Sequence, residues 1–153
     1  PVKIVNDADM QGLGIISGSG FEMLITLGTG LGSALFLNGT LLPHLELSQH
    51  PIGTDLIYDQ YVGRKAFEEL GQLMWNKRVE EVLRVLKTVF NYDHLYIGGG
   101  NSRFITLALD SNTTLVSNED GIKGGAALWK RTNTFEIPLQ SSVENWQSEF
   151  SLK

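Results

Sequence analysis

The chain has 153 residues, 42% of them hydrophobic, with a formal net charge of −5 and no cysteine. That length and apolar content suit one domain with a real core, while the acidic balance argues against a nucleic-acid surface, which needs a basic patch. The lack of cysteine excludes disulfides and thiolate zinc sites and points to a reducing cytoplasm. The apolar runs are too short to cross a bilayer, and a start at Pro1 with neither an initiator Met nor a leader suggests a fragment.

In chain order, residues 2–5 (VKIV) form a short β-rich run that stops at Asn6-Asp7-Ala8-Asp9. A polar cluster at the C-terminal end of a strand is where α/β sheets hold ligands. The segment from Met10 to Ile16 has modest helical character, and Asp7 or Asp9 could cap it. Two carboxylates so close cannot both be mere caps of one helix. Gly18-Ser19-Gly20 is a flexible loop leading into two apolar runs, Leu24 to Leu42, joined by a turn with Gly28, Thr29, Gly30 and Gly32. Those glycines predict a sharp turn and close approach of the backbone. Successive N–H groups and the Thr29 hydroxyl could make an anion-binding concavity there; a tight hairpin whose glycines serve only the turn is the plainer alternative. Asn38-Gly39 predicts a two-residue type I′ turn between antiparallel strands.

Pro43 and Pro51 then bracket an irregular loop with Glu46, Gln49 and His50, a carboxylate, an amide and an imidazole suited to a polyhydroxylated ligand. His44 and His50 raise the possibility of metal, but no third ligand stands at helical or strand spacing with them. From Tyr58 to Phe90 the composition and period are helical. The stripe comprises Tyr61, Phe67, Leu70, Leu73, Met74, Val82, Val85, Leu86 and Val89; Gly71 separates two helices or marks a close crossing, and Trp75 belongs to core or interface. Leu95 to Ile97 read as a buried strand ending in Gly98-Gly99-Gly100-Asn101, followed by a helix over Phe104 to Leu109. Thr114 to Val116 repeat the pattern as a strand, then a polar turn from Ser117 to Asp120 and a helix opened by Gly121, Gly124 and Gly125. Two such units in succession predict parallel strands with helical crossovers. Residues 131–153 are a polar tail or peripheral segment.

The ordered set NDAD, LGTGLGSALFLNGTLLP, ELSQHP, LYIGGGN and SNEDGIKGGAALW resembles the C-terminal, larger lobe of ROK-family sugar kinases (repressor, open reading frame, kinase), in the branch of glucokinases related to polyphosphate-using enzymes. The resemblance runs from Val2 to about Trp129 and implies an α/β actin-like ATPase (ribonuclease H-like) fold, one lobe with a mixed sheet flanked by helices. Residues 1–130 would form the lobe, with 1–9 from a cleft-lining strand at the lobe junction. It further implies that Asp7 is the general base on a sugar hydroxyl, that Asn6, Glu46 and Gln49 bind the sugar, and that Gly28, Thr29 and Gly30 face the transferred phosphoryl group. Gly98, Gly99, Gly100, Asn118, Gly121 and Gly124 would line the nucleotide side of the cleft. The implied reaction is transfer of phosphate from ATP or polyphosphate, with Mg2+, to a hexose, in particular the 6-hydroxyl of glucose. The implied protein is a cytoplasmic homodimer in its full-length form, without membrane or nucleic-acid partners.

Three departures from the family pattern stand out. Ser48-Gln49 replace the usual Gly-His after Glu-Leu, and Gln49 can donate and accept hydrogen bonds but cannot become a cation. The cysteine-rich zinc motif is absent, so no structural zinc is expected. The first phosphate motif of the N-terminal lobe is not in the sequence. A non-catalytic sugar-binding or regulatory module of the same family is therefore the competing expectation.

Overall fold

The central apolar run becomes the middle of a five-stranded sheet. In a computed structural model, residues 6–53 and 55–117 are described; the strand expected over 2–5, Asn118, Gly121, Gly124 and the boundary near residue 130 lie outside them. Strand β1 (Phe21–Leu27) pairs antiparallel with β2 (Leu31–Leu37), which pairs antiparallel with β3 (Thr40–Leu41). Helix α1 (Asp7–Ile15) precedes them. The short hairpin β4 (Pro51–Ile52) and β5 (Leu56–Ile57) leads to helices α2 (Tyr58–Val62) and α3 (Arg64–Phe90). Strand β6 (His94–Gly98) then lies parallel to β1, and β7 (Thr113–Leu115) parallel to β6, so the sheet is mixed, in the order β3-β2-β1-β6-β7.

Both faces of β1 are covered, which explains its nearly unbroken run of apolar residues. Met23, Ile25 and Leu27 point to the α3 side with Leu95 and Ile97, whereas Leu24 points to the α1 side with Ala8, Leu13, Phe36 and Tyr96. On α3, Trp75, Val79, Val82 and Leu86 recur at helical spacing and are fully or almost fully buried. Each such side chain contributes about 1.5–3 kcal/mol when removed from water. The Trp75 indole also donates to Val62 O at 2.8 Å, tying α2 to α3.

Gly71 does interrupt the long helix, with φ 72° and ψ 166°. That break resets the helical register, and Leu73 and Met74, expected in the apolar stripe, are exposed; Val89, near the C-terminal end, is exposed as well. The Asn38-Gly39 turn forms as expected, with φ of 48° and 76°. The helix expected over 104–109 does not form. A 3-10 turn at Ser102–Phe104 gives way to extended chain in which Ile105, Leu107 and Leu109 pack on the core in alternation with exposed Thr106 and Ala108. Asn76 explains the difference: its side-chain nitrogen donates to Phe104 O at 3.0 Å and its oxygen accepts from Thr106 N at 2.8 Å, satisfying backbone groups that a helix would have paired internally. The parallel pairing of β6 and β7 is thus reached through an irregular crossover. No helix among the described residues is long and apolar enough to cross a membrane.

Candidate active site

The cleft lies at the C-terminal ends of β1 and β6. It encloses about 640 Å3 and is lined by Asp7, Glu46, Asp59, Gly99 and the turn after β1, together with Met10 and Gln11 of α1.

The turn Gly28-Thr29-Gly30 is held at every carbonyl. Gly28 O accepts from the Asn101 side chain at 3.1 Å, Thr29 O from Arg64 N at 3.1 Å, and Gly30 O from Gly28 N at 3.0 Å. Leu31 N is taken by Asp59 Oδ1 at 2.7 Å. The N–H groups of Thr29 and Gly30 find no acceptor among the described residues. A turn with its acceptors occupied and two donors open is built for an anion. None of Gly28, Gly30 and Gly32 adopts positive φ, so their use differs from the expected sharp turn. A Cβ on Gly30 would collide with the Asp59 carboxylate and one on Gly32 with Thr26 Oγ1, while one on Gly28 would meet nothing within 4 Å. At Gly30 and Gly32, close approach and not unusual backbone is what excludes a side chain.

Asp7 is exposed and opens α1, where its Oδ1 accepts from Ala8 N at 2.8 Å. The cap expected of Asp7 or Asp9 is provided instead by Asn6, whose Oδ1 accepts from the same N–H at 2.9 Å. Asn6 does not line the cleft. Asp9 turns inward and is buried, which raises its pKa; the charge and hydrogen bond of His44, 3.4 Å away, partly offset the rise.

Ser33 Oγ donates to Leu45 O at 3.0 Å and so fixes the irregular loop against β2. The loop places Glu46 on the cleft. Ser48 Oγ donates to Glu46 Oε1 at 2.5 Å, and this bond is the main reason the Glu46 pKa is lowered. Gln49 is exposed, donates to Ser48 Oγ at 3.1 Å and does not line the cleft. Of the glycines after β6, only Gly99 lines it. Gly98 packs against Gln11, whose Nε2 would lie 2.8 Å from a Cβ there, and Gly100 is exposed.

Asp59, Asn101 and Ser48 escaped the sequence reading as builders of the site. Asn101 stood next to the glycine turn and could have been suspected; Asp59, on the short helix α2, had no local signal at all.

Comparison with known proteins bears on this arrangement. No protein-family model matches the chain. A polyphosphate glucokinase of Mycobacterium tuberculosis is 31% identical, the match covering 82% of this chain and 52% of the relative; one of Mycobacterium leprae is 33% identical over 82% and 43%. The crystal structure of an inorganic polyphosphate/ATP-glucomannokinase from Arthrobacter sp. strain KM superposes with a TM-score of 0.72 at 28% identity, over 86% of this chain and 58% of that one. The chain is a homologue of these kinases and has the ROK-kinase fold. A ROK family glucokinase from Streptomyces griseus, in complex with glucose and AMPPNP, shares that fold with a TM-score of 0.59 at 17% identity. The expected actin-like ATPase architecture is therefore the one found. The chain spans about half the length of the mycobacterial relatives.

Proposed function

We propose that the chain is the larger lobe of a hexose kinase, with Asp7 as general base and Glu46 as a sugar ligand. In the proposed step the 6-hydroxyl oxygen of glucose forms a bond to the terminal phosphorus of the donor, the bridging P–O bond breaks, and the hydroxyl proton passes to Asp7. The donor leaves one phosphate shorter. Phosphoryl transfer asks mainly for positioning and charge balance, so a carboxylate on one side and backbone N–H donors on the other are suitable parts. The single observation that carries the reading is the pair of open N–H groups at Thr29 and Gly30 in the same cleft as Asp7 and Glu46.

Both ATP and polyphosphate stay within the proposal as donors, as do a cytoplasmic setting and a homodimer in the longer protein. The described residues contain no group of three His, Asp or Glu side chains able to cage a metal. Where Mg2+ accompanies the donor, Asp59, the carboxylate that lines the cleft beside the turn, would help to hold it. When bound it would supply charge neutralisation at the donor's phosphate oxygens. Gly99 fits the donor side of the cleft; Asn6, Gln49, Gly98 and Gly100 have less support as ligands because they do not line it.

The test is a coupled glucose-phosphorylation assay with ATP and with polyphosphate, run on the chain and on the longer protein from its full reading frame. The longer protein should be active and the chain alone inactive. Asp7→Asn should lower kcat by about 10²- to 10⁴-fold, the usual weight of a general base, with glucose affinity kept. Near-full activity of that variant would refute the base assignment. Glucose binding without any phosphorylation by the longer protein would favour the sugar-binding module.

A further inference from the structure

The loop that carries Glu46 also carries a histidine placed between two carboxylates. His44 Nδ1 lies 3.4 Å from Asp9 Oδ1, and its Nε2 lies 3.5 Å from Glu46 Oε2. Asp9 belongs to α1 and its side chain is 7% exposed, whereas His44 is 31% and Glu46 56% exposed, so the three lead from the protein interior to the cleft. While both carboxyls are ionised, a neutral imidazole with its one N–H can serve only one of them; serving both carboxylates takes the imidazolium, with a proton on each nitrogen. We infer that His44 is a positioning residue for sugar recognition: as an imidazolium it bridges buried Asp9 to Glu46 and orients the Glu46 carboxylate for sugar hydroxyls. The inference rests on the reading of Glu46 as a sugar ligand.

Chemically, the bridge fixes Glu46 from both sides. Oε1 accepts from Ser48 and Oε2 faces His44, leaving each oxygen a further lone pair for a hydroxyl donor. Without His44, the exposed carboxylate would swing on a flexible side chain, and Asp9 would be left buried without its cationic neighbour. Among the described residues the charged groups in contact with this ring are both acidic: Asp9 from α1, which Asp7 in turn repels, and Glu46 from its own loop. The side chain that β2 sends toward the loop, Ser33, is uncharged. Sugar affinity is therefore linked to the proton on His44.

Two measurements decide the matter. The first is an NMR pH titration of the His44 ring in the chain, in Asp9→Asn and in Glu46→Gln. The titration midpoint should fall in both variants, because each removes a carboxylate that favours the imidazolium. Midpoints unchanged in both would overturn the bridge. The second is glucose affinity by calorimetry between about pH 5.5 and 8.5, the range in which imidazoles titrate. The chain should bind more tightly at the acidic end. His44→Ala should weaken binding by about three- to tenfold there, the net scale of one hydrogen bond, and flatten the pH profile. His44→Ala should also add little to Glu46→Gln. Equal affinity of His44→Ala and the parent at every pH, with a normal fold by circular dichroism, would overturn the positioning role. Absence of glucose binding by both the chain and the longer protein would instead overturn the hexose-kinase reading, and with it the sugar role, while the ring titration still decides the bridge.

Discussion

Two glycine turns close neighbouring parallel strands, Gly28-Thr29-Gly30 after β1 and Gly98-Gly99-Gly100 at the end of β6. In the first, every carbonyl is bonded, two N–H groups find no acceptor among the described residues, and the turn lines the cleft. In the second, Gly98 and Gly99 answer to packing, while a Cβ on exposed Gly100 would meet nothing within 4 Å. Gly98 makes room for Gln11, and Gly99, at φ 86°, passes so close to the backbone of Leu27 that a Cβ would collide with it. Asn101 stitches the two together, donating from its backbone to Leu27 O at 2.9 Å and from its side chain to Gly28 O at 3.1 Å. The second turn is therefore a support on which the first is mounted. Nearly identical composition hides this division, because a glycine does not record whether a side chain in its place would meet anything, or what.

Substitutions at these positions can break or sharpen the contrast. Gly99→Ala should be the most damaging, because it combines positive φ with a collision against immovable backbone; a loss of about 3 kcal/mol or more in urea unfolding is expected. Gly30→Ala should cost less, about 1–3 kcal/mol, since the colliding group is the Asp59 side chain, which can move but must then release Leu31 N. A stability loss at Gly30 equal to that at Gly99 would erase the distinction between support and mounted turn.

A third prediction extends the contrast to the opposite end of β1. Glu22 is fully buried, but unlike the cleft carboxylates it is satisfied entirely by protein: Ser17 N at 2.7 Å, Gly18 N at 2.8 Å and Tyr96 Oη at 2.9 Å donate to it. Burial acts to raise its pKa, and these donors more than offset that, holding it below the ordinary 4.5. Since the folded-state value is the lower one, the stabilisation is fully present above the unfolded-state pKa and is lost as pH falls through the folded-state pKa. Glu22→Gln should cost about 1–2 kcal/mol at pH 7 and less in acid, as read from thermal melts at stepped pH. An unchanged difference between variant and parent from pH 7 to pH 3 would contradict the linkage.

The smallest effect on folding is expected at Gly28. Its backbone is ordinary and its Cβ position open, so Gly28→Ala should change stability by no more than about 0.5 kcal/mol. In the kinase assay of the proposed function the added methyl would stand where the phosphoryl group is proposed to lie, and KM for the donor should rise while KM for glucose stays the same. Unchanged donor kinetics would place the anion elsewhere.

Much of the fold was legible in local pattern. The apolar runs around Gly28, the Asn38-Gly39 turn, the helical stretch with its break at Gly71 and the strand before Gly98 all follow from short-range chemistry. The helix expected over 104–109 does not form, and the alternation of Ile105, Leu107 and Leu109 was a local sign of extended chain; the polar group that holds them extended, Asn76, sits on another element. At the site, Asp7, Glu46 and the first glycine turn were readable as a motif order and share one cleft. Asn6 and Gln49 were named from the same motifs but spend their side chains on a helix cap and on Ser48.

The sequence by itself determined where the chain turns, which runs are apolar enough to be buried, and which residue types stand in the order of a sugar-kinase lobe. Backbone preference and hydrophobic period act over a few residues and leave their mark in any short window. Only the tertiary structure decided that Asp59 and Asn101 hold the first glycine turn, that Gly99 supports it from β6, and that His44 stands between Asp9 and Glu46. Most of those contacts join residues from elements far apart in the chain, and their geometry exists only once β1, β6 and the two helical layers have packed.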